Sequence, residues 1–194
     1  MRKIFPKSKN KGFTLVETLV ALSIFSVSIL GLLVALSQGL ADTGYAKKKV
    51  AAAYLAQEGI EYIRNMRDTF MIYSNDPQTG WEDFKTHIAA CAGGSGCYFN
   101  ASGLDYAEPE QPINQILLDA CPSEPDTCPE LLYDFVTGLY DSGLVGGQPT
   151  GLVRQIKMEE ITPDEVQITS TVFWSQASGN YSIVFSDNLL NWIE

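Results

Sequence analysis

The sequence has little histidine, few cysteines and no charge at all in one long early interval. His87 is the one histidine among 194 residues. A Ser-His-Asp or Cys-His catalytic arrangement would have to use it, yet it stands beside Ile88, Ala89 and Ala90, a setting that suits a structural or surface histidine. No catalytic residue is expected, and Asp105, Glu108 and Glu110 read as solvated loop acids. The four cysteines, Cys91, Cys97, Cys121 and Cys128, show no Cys-x-x-Cys spacing, so no zinc site is expected either. Proline is absent between Phe13 and Asp76, which permits helix throughout that interval. Bases are scarce, 13 against 23 acids, for a net charge of −10. That surplus argues against nonspecific binding of nucleic acid through the bulk surface.

After Glu17 no charged residue appears until Asp42. Residues 18–41 would make about 36 Å of helix, enough to cross a hydrocarbon core of about 30 Å. Before this run stand Arg2, Lys3, Lys7, Lys9 and Lys11 with no acid among them. Such a basic flank stays in the cytoplasm, which places the remainder of the chain outside it. Lys47, Lys48 and Lys49 flank the other end and oppose this orientation, but they are fewer. Two roles are open to them, anionic lipid headgroups or the acidic heads of neighbouring subunits. Without its first 12 residues the chain keeps eight bases against 23 acids, a net charge of −15.

Lys11, Gly12, Phe13, Thr14, Leu15, Val16 and Glu17 follow one another directly into the apolar run. This arrangement resembles the cleavage and methylation motif of type IV prepilins and type II secretion pseudopilins. The resemblance implies that a membrane-bound prepilin peptidase cuts between Gly12 and Phe13, that Phe13 is then N-methylated, and that Phe13 and Glu17 serve subunit assembly. The physics is independent of the family. A new ammonium at Phe13 and the Glu17 carboxylate sit one turn apart on an apolar rod, and stacking rods with an axial offset pairs the two across subunits. Two plainer readings are an uncleaved anchor and a secretory signal cut after Ala41. Neither supplies a partner for a carboxylate in an apolar helix.

The expected organisation is a basic leader over residues 1–12, a membrane or filament-core helix over 13–41 and an amphipathic continuation over 42–70. An irregular connection over 71–130 and an antiparallel sheet over 131–194 complete it. In the continuation, Ala53, Ala56, Ile60, Ile63 and Met66 share one face, while Arg64 is in reach of Glu61 and Asp68. Gly31, Gly39 and Gly44 are candidate interruptions of the helix. Residues 75–80 read as a turn, and residues 81–90 and 113–120 as short helices.

Outside the cytoplasm the cysteines oxidise. Pairing within each close pair, Cys91 with Cys97 and Cys121 with Cys128, is preferred over the two other connectivities. No cofactor is expected; calcium is the alternative for which oxygen ligands exist, in Asn100, Asp105, Asp141 and Asp187, although no Asp-x-Asp-x-Asp-Gly loop gathers them and no ligand set is assigned. Strands are expected over residues 151–161, 166–174 and 181–185, with a fourth over 131–140. Leu189, Leu190, Trp192 and Ile193 are expected to close the core.

The helix over residues 52–64 and the final strands resemble PilV-like minor pilins and the related type II secretion pseudopilin. The expected fold is therefore α+β and pilin-like, a long N-terminal helical spine on an antiparallel sheet of about three to four strands. The expected function is that of a minor type IV pilin, a structural subunit and not an enzyme, active in initiation, at the tip or in modification of the pilus. The alternatives are a type II secretion pseudopilin and a single-pass surface binding protein. Implied partners are the prepilin peptidase and methylase, other pilin subunits, the assembly machinery and the membrane. Implied locations are the cytoplasmic membrane, with the head outside, and then an extracellular pilus or periplasmic pseudopilus.

Overall fold

The computed structural model describes residues 12–101, 116–122, 127–177 and 179–192. It divides into two units, Met1–Tyr45 and Ala46–Glu194. Helix α1 spans Leu15–Tyr73 and so belongs to both. In the first unit it runs through Gly31, Gly39 and Gly44, the candidate interruptions, without a break, since leucine and alanine around them favour helix. Residues 12–44 are all exposed among the described residues. The hydroxyls in this part bond back to the helix. Thr18 Oγ1 donates to Leu15 O at 2.9 Å, Ser23 to Val20 O, Ser26 to Leu22 O and Ser28 to Ile24 O, the last three at 2.8 Å. Their polarity is satisfied without water.

In the second unit α1 presents Ala52, Leu55, Ala56, Gly59, Ile60, Ile63 and Met66 to the core. Four of the five residues expected on that face are buried, while Ala53 is half-buried at its margin. Helix α2, Pro77–His87, starts where a turn was expected. Asp76 is its N-cap, accepting from Thr79 N at 3.0 Å, and Pro77 occupies the first turn, where its missing N–H costs nothing. A 3₁₀ turn, Ala89–Ala92, follows.

Among the described residues seven strands make one antiparallel sheet: β1 Cys97–Phe99, β2 Leu118–Ala120, β3 Glu130–Tyr133, β4 Tyr140–Asp141, β5 Gln148–Thr162, β6 Glu165–Gln176 and β7 Gly179–Leu190. The long β5 organises it. On one side β5 pairs with β6, which pairs with β7; on the other it pairs with both β1 and β3, which carry β2 and β4. The α+β architecture is the expected one, with part of α1 packed on the sheet. The strand count exceeds the expected three to four because the cysteine-bearing connection contributes β1 and β2 and the strand expected over 131–140 is two, β3 and β4.

Leu118, Asp119 and Ala120, expected in a helix, pair with Phe99, Tyr98 and Cys97. Cys121 N donates to Gly96 O at 2.9 Å, so the chain beside the cysteines is held extended. Residues 113–115 of that expected helix lie outside the described residues. The single strand expected over 131–140 is instead the hairpin of β3 and β4.

The core joins Ile60, Ile63 and Met66 of α1, Trp81 and Phe84 of α2, and Phe99, Ile156, Val166, Ile168 and Leu189 of the sheet. Burying side chains of this size contributes about 1.5–3 kcal/mol each. Trp81 Nε1 donates to Pro163 O at 2.8 Å, tying α2 to the turn between β5 and β6. Leu189 does close the core, but Leu190 and Trp192 are 51% and 47% exposed, and Ile193 lies outside the described residues. Strand β5 follows α1 closely. Lys48 Nζ would stand 3.2 Å from a methyl at Gly151, and Arg154 bonds to Leu55 and Glu58. Farther along, Ser170, opposite Ile156, meets Gly59.

Candidate processing and assembly site

Gly12, Phe13 and Thr14 precede α1, and the first turn of that helix carries Glu17. Thr14 Oγ1 accepts from Glu17 N at 3.2 Å, and Thr14 O accepts from Thr18 N at 3.1 Å. Thr14 is thus the N-cap, and Thr14 with Glu17 has the Thr-x-x-Glu spacing of a capping box. The role of Thr14 was legible in that spacing but is absent from the expectations above. Phe13 is 78% exposed, and Glu17 is exposed too. Both remain accessible to an external partner.

The residues singled out in the head lie apart from this segment in sequence and have local duties. Cys91 joins Cys97, and Cys121 joins Cys128. All four are buried, and each bridge closes a loop whose constraint contributes about 2–3 kcal/mol. His87 Nε2 is 2.9 Å from Ile116 O, and its ring lies 5.2 Å from that of Phe70. It serves as a clasp between α2 and the start of β2.

Two of the oxygen ligands named for calcium, Asp141 and Asp187, are engaged by other donors. Asp141 is buried, with Oδ1 accepting from Gly143 N at 2.8 Å and Oδ2 from Ala101 N at 2.5 Å. Gly143 is required there, since a methyl in its place would stand 1.6 Å from Asn100 Nδ2. Asp187 accepts from Arg64 Nη2 at 2.7 Å. That bond, with help from Glu61, raises the pKa of Arg64 against the opposing effect of burial. Asp68 pairs with Arg67 in place of the expected Arg64. Asp105 lies outside the described residues. Among the described residues no group of three or more His, Cys, Asp or Glu is gathered that could hold a metal.

Sequence reasoning also passed over Arg154. Its side chain is 4% exposed, Nη1 reaches Glu58 Oε2 at 2.9 Å and Leu55 O at 3.2 Å, and the guanidinium lies 4.3 Å from the Phe99 ring centre. Burial lowers its pKa, opposed by Glu58. An alternating strand pattern with arginine at an inward position was the available signal.

With this geometry in place, residues 7–33 match the family model of the prokaryotic N-terminal methylation motif. The chain carries that motif. It covers Gly12, Phe13, Thr14 and Glu17 and the first half of the apolar run, and it supports a type IV pilin or pseudopilin-like subunit. No curated protein and no solved structure matches the chain. The methylation motif and the adjoining helix, long and apolar enough to cross a membrane, support a single-pass anchored chain.

Proposed function

We propose that the chain is a minor type IV pilin-like subunit. Prepilin peptidase cuts between Gly12 and Phe13, Phe13 is N-methylated, and the subunit joins a filament through Phe13, Glu17 and the apolar half of α1. The observation that carries this reading is the pairing of the matched motif with a helix whose residues 15–44 are exposed throughout. Such a surface needs lipid or other apolar helices around it. Glu17 supplies the one acid in that surface before Asp42, and a neighbour's Phe13 ammonium satisfies it.

The head is held outside the cytoplasm, as the basic flank and the two disulfides favour. The minor role is supported by the stapled, irregular insertion carrying α2, β1 and β2. Function lies in assembly with other pilins, through the peptidase and the pilus machinery, and not in catalysis. The test is mass spectrometry of the mature amino terminus from the native cell, joined to isolation of sheared filaments. N-methylated Phe13 in filament fractions is expected. An intact leader, or a start at Asp42, overturns the reading.

A further inference from the structure

The head is acidic over most of its sequence, but residues 135–153 contain one charged side chain, Asp141, and it is buried and fully engaged by backbone N–H groups. Within this stretch two turns hold apolar side chains out to solvent. Phe135 is 76% exposed, Val136 94%, Leu139 53% and Val145 104%.

The first turn is firmly built. Asp134 accepts from Val136 N at 2.8 Å and from Thr137 Oγ1 at 2.7 Å, Gly138 N donates to Asp134 O at 2.8 Å, and Asp134 N donates to Leu139 O at 3.0 Å. Tyr133 backs it, with its ring 4.9 Å from Phe135 and 4.7 Å from Tyr140. Apolar tips on a rigid turn are displayed at a standing cost and point to a contact surface.

Their position in the second unit says which contact. Tyr133 pairs with Gln148 at the start of β5, and Gly151 of the same strand lies against Lys48. Leu139 lines a groove with Ala51 and Tyr54 of α1, and the groove runs on to Glu58, Glu61 and Asp187. Both turns therefore belong to the end of the unit at which α1 enters it, beside Lys47, Lys48 and Lys49. Apolar tips beside three adjacent bases, with the Asp134 carboxylate turned onto Val136 N and Thr137 Oγ1 of its own turn and Glu130 onto Gly151 N, are together the chemistry of an anionic membrane interface. An acidic copy of this chain would answer the lysines but offers no matching charge pattern for the neutral turns.

We propose that the turns at residues 135–139 and 144–147 form an apolar foot that rests in the headgroup region of an anionic phospholipid bilayer. The inference rests on the reading of residues 13–41 as the membrane anchor. The foot gives the head a second, reversible contact with the bilayer and holds its orientation before assembly.

The test uses the full chain in vesicles of phosphatidylethanolamine and phosphatidylglycerol, spin-labelled at one added cysteine at a time. The variants are V136C, V145C, T162C at the far end of β5, and L30C in the apolar helix; the native cysteines are bridged and take no label. Accessibility to oxygen, which partitions into lipid, is compared with accessibility to a water-soluble nickel complex. Labels at Val136 and Val145 are expected to favour oxygen as Leu30 does, while Thr162 favours nickel. Adding Phe135→Ser shifts the Val145 label towards nickel. The foot is overturned if Val136 and Val145 behave like Thr162 while Leu30 remains in lipid. Shielding of both turns from both reagents overturns it too, since a protein neighbour would then cover them. A water-exposed Leu30 label would instead overturn the anchor itself.

Discussion

Gly59 of α1 lies directly over Ser170 of β6: a methyl carbon at Gly59 would stand 2.7 Å from Ser170 Oγ and 3.2 Å from Arg154 Cδ. The helix rests on the sheet here with no room for a side chain. Ser170 Oγ is buried and has no hydrogen-bond partner among the described residues. Gly59→Ala should therefore destabilise the head by about 1–3 kcal/mol from overpacking, reduced by about 1 kcal/mol of improved helix propensity. Ser170→Ala alone should be close to neutral, since it removes an unsatisfied hydroxyl. Combined with Gly59→Ala it should recover part of the loss, because the contacts that remain are Arg154 Cδ at 3.2 Å and Ser170 Cβ at 3.4 Å. Denaturant titration of the four chains in a double-mutant cycle measures the coupling.

Arg154 and Glu58 provide a second test of the same junction. Glu58→Gln keeps the shape and a hydrogen-bond acceptor but removes the charge facing a buried guanidinium. The expected loss is about 1–2 kcal/mol, below that for a fully buried pair, because the Glu58 side chain is 39% exposed and water screens it. Arg154→Ala, which also strips the packing over Phe99, should cost more than Glu58→Gln. Equal midpoints in urea for these two variants would contradict this account.

At the amino terminus, Thr14→Ala should remove the cap and loosen the first turn, at about 1 kcal/mol. Faster amide exchange at Glu17 in detergent-solubilised chain is the readout. Glu17→Gln should leave that cap in place, since Thr14 bonds the backbone of residue 17 and not its side chain. It should also leave membrane insertion intact and lower the yield of the subunit in filaments. Normal incorporation of Glu17→Gln would remove the charge-pair account of register.

The turn beneath Phe135 and Val136 should respond to acid. The N–H of Val136 and the hydroxyl of Thr137 lower the Asp134 pKa below its ordinary 3.8. A depressed carboxyl contributes order that is fully present above the unfolded value and lost as pH falls through the lower folded value. The Val136 amide resonance should thus titrate with a midpoint below 3.8, and Asp134→Asn should abolish that titration.

What could be read from the sequence followed regular spacing. Ala56, Ile60, Ile63 and Met66 fall on one helical stripe, and Val166, Ile168, Val172 and Trp174 alternate, so both buried faces were legible before any coordinates. The cysteine-bearing connection was not. Strands β1 and β2 have three residues each, too few for a period, and their pairing is stabilised by neighbours distant in sequence. Pro77 looked like a terminator because a turn and a helix start share the Asp-Pro signal. Arg154 was hidden for another reason: its burial depends on Glu58, 96 positions earlier, and no local pattern carries that link.

The hydroxyls of Ser23, Ser26 and Ser28 spend their bonding capacity on their own helix. Those three side chains therefore make no chemical demand on their surroundings, and in the proposed assembly exchanging hydrocarbon for the flanks of sister helices would rearrange none of those bonds. Passage between the two would be close to reversible on their account, like a piston moving in a lubricated sleeve. Glu17 would then be the catch on the piston: whichever medium pairs that carboxylate sets the direction of travel.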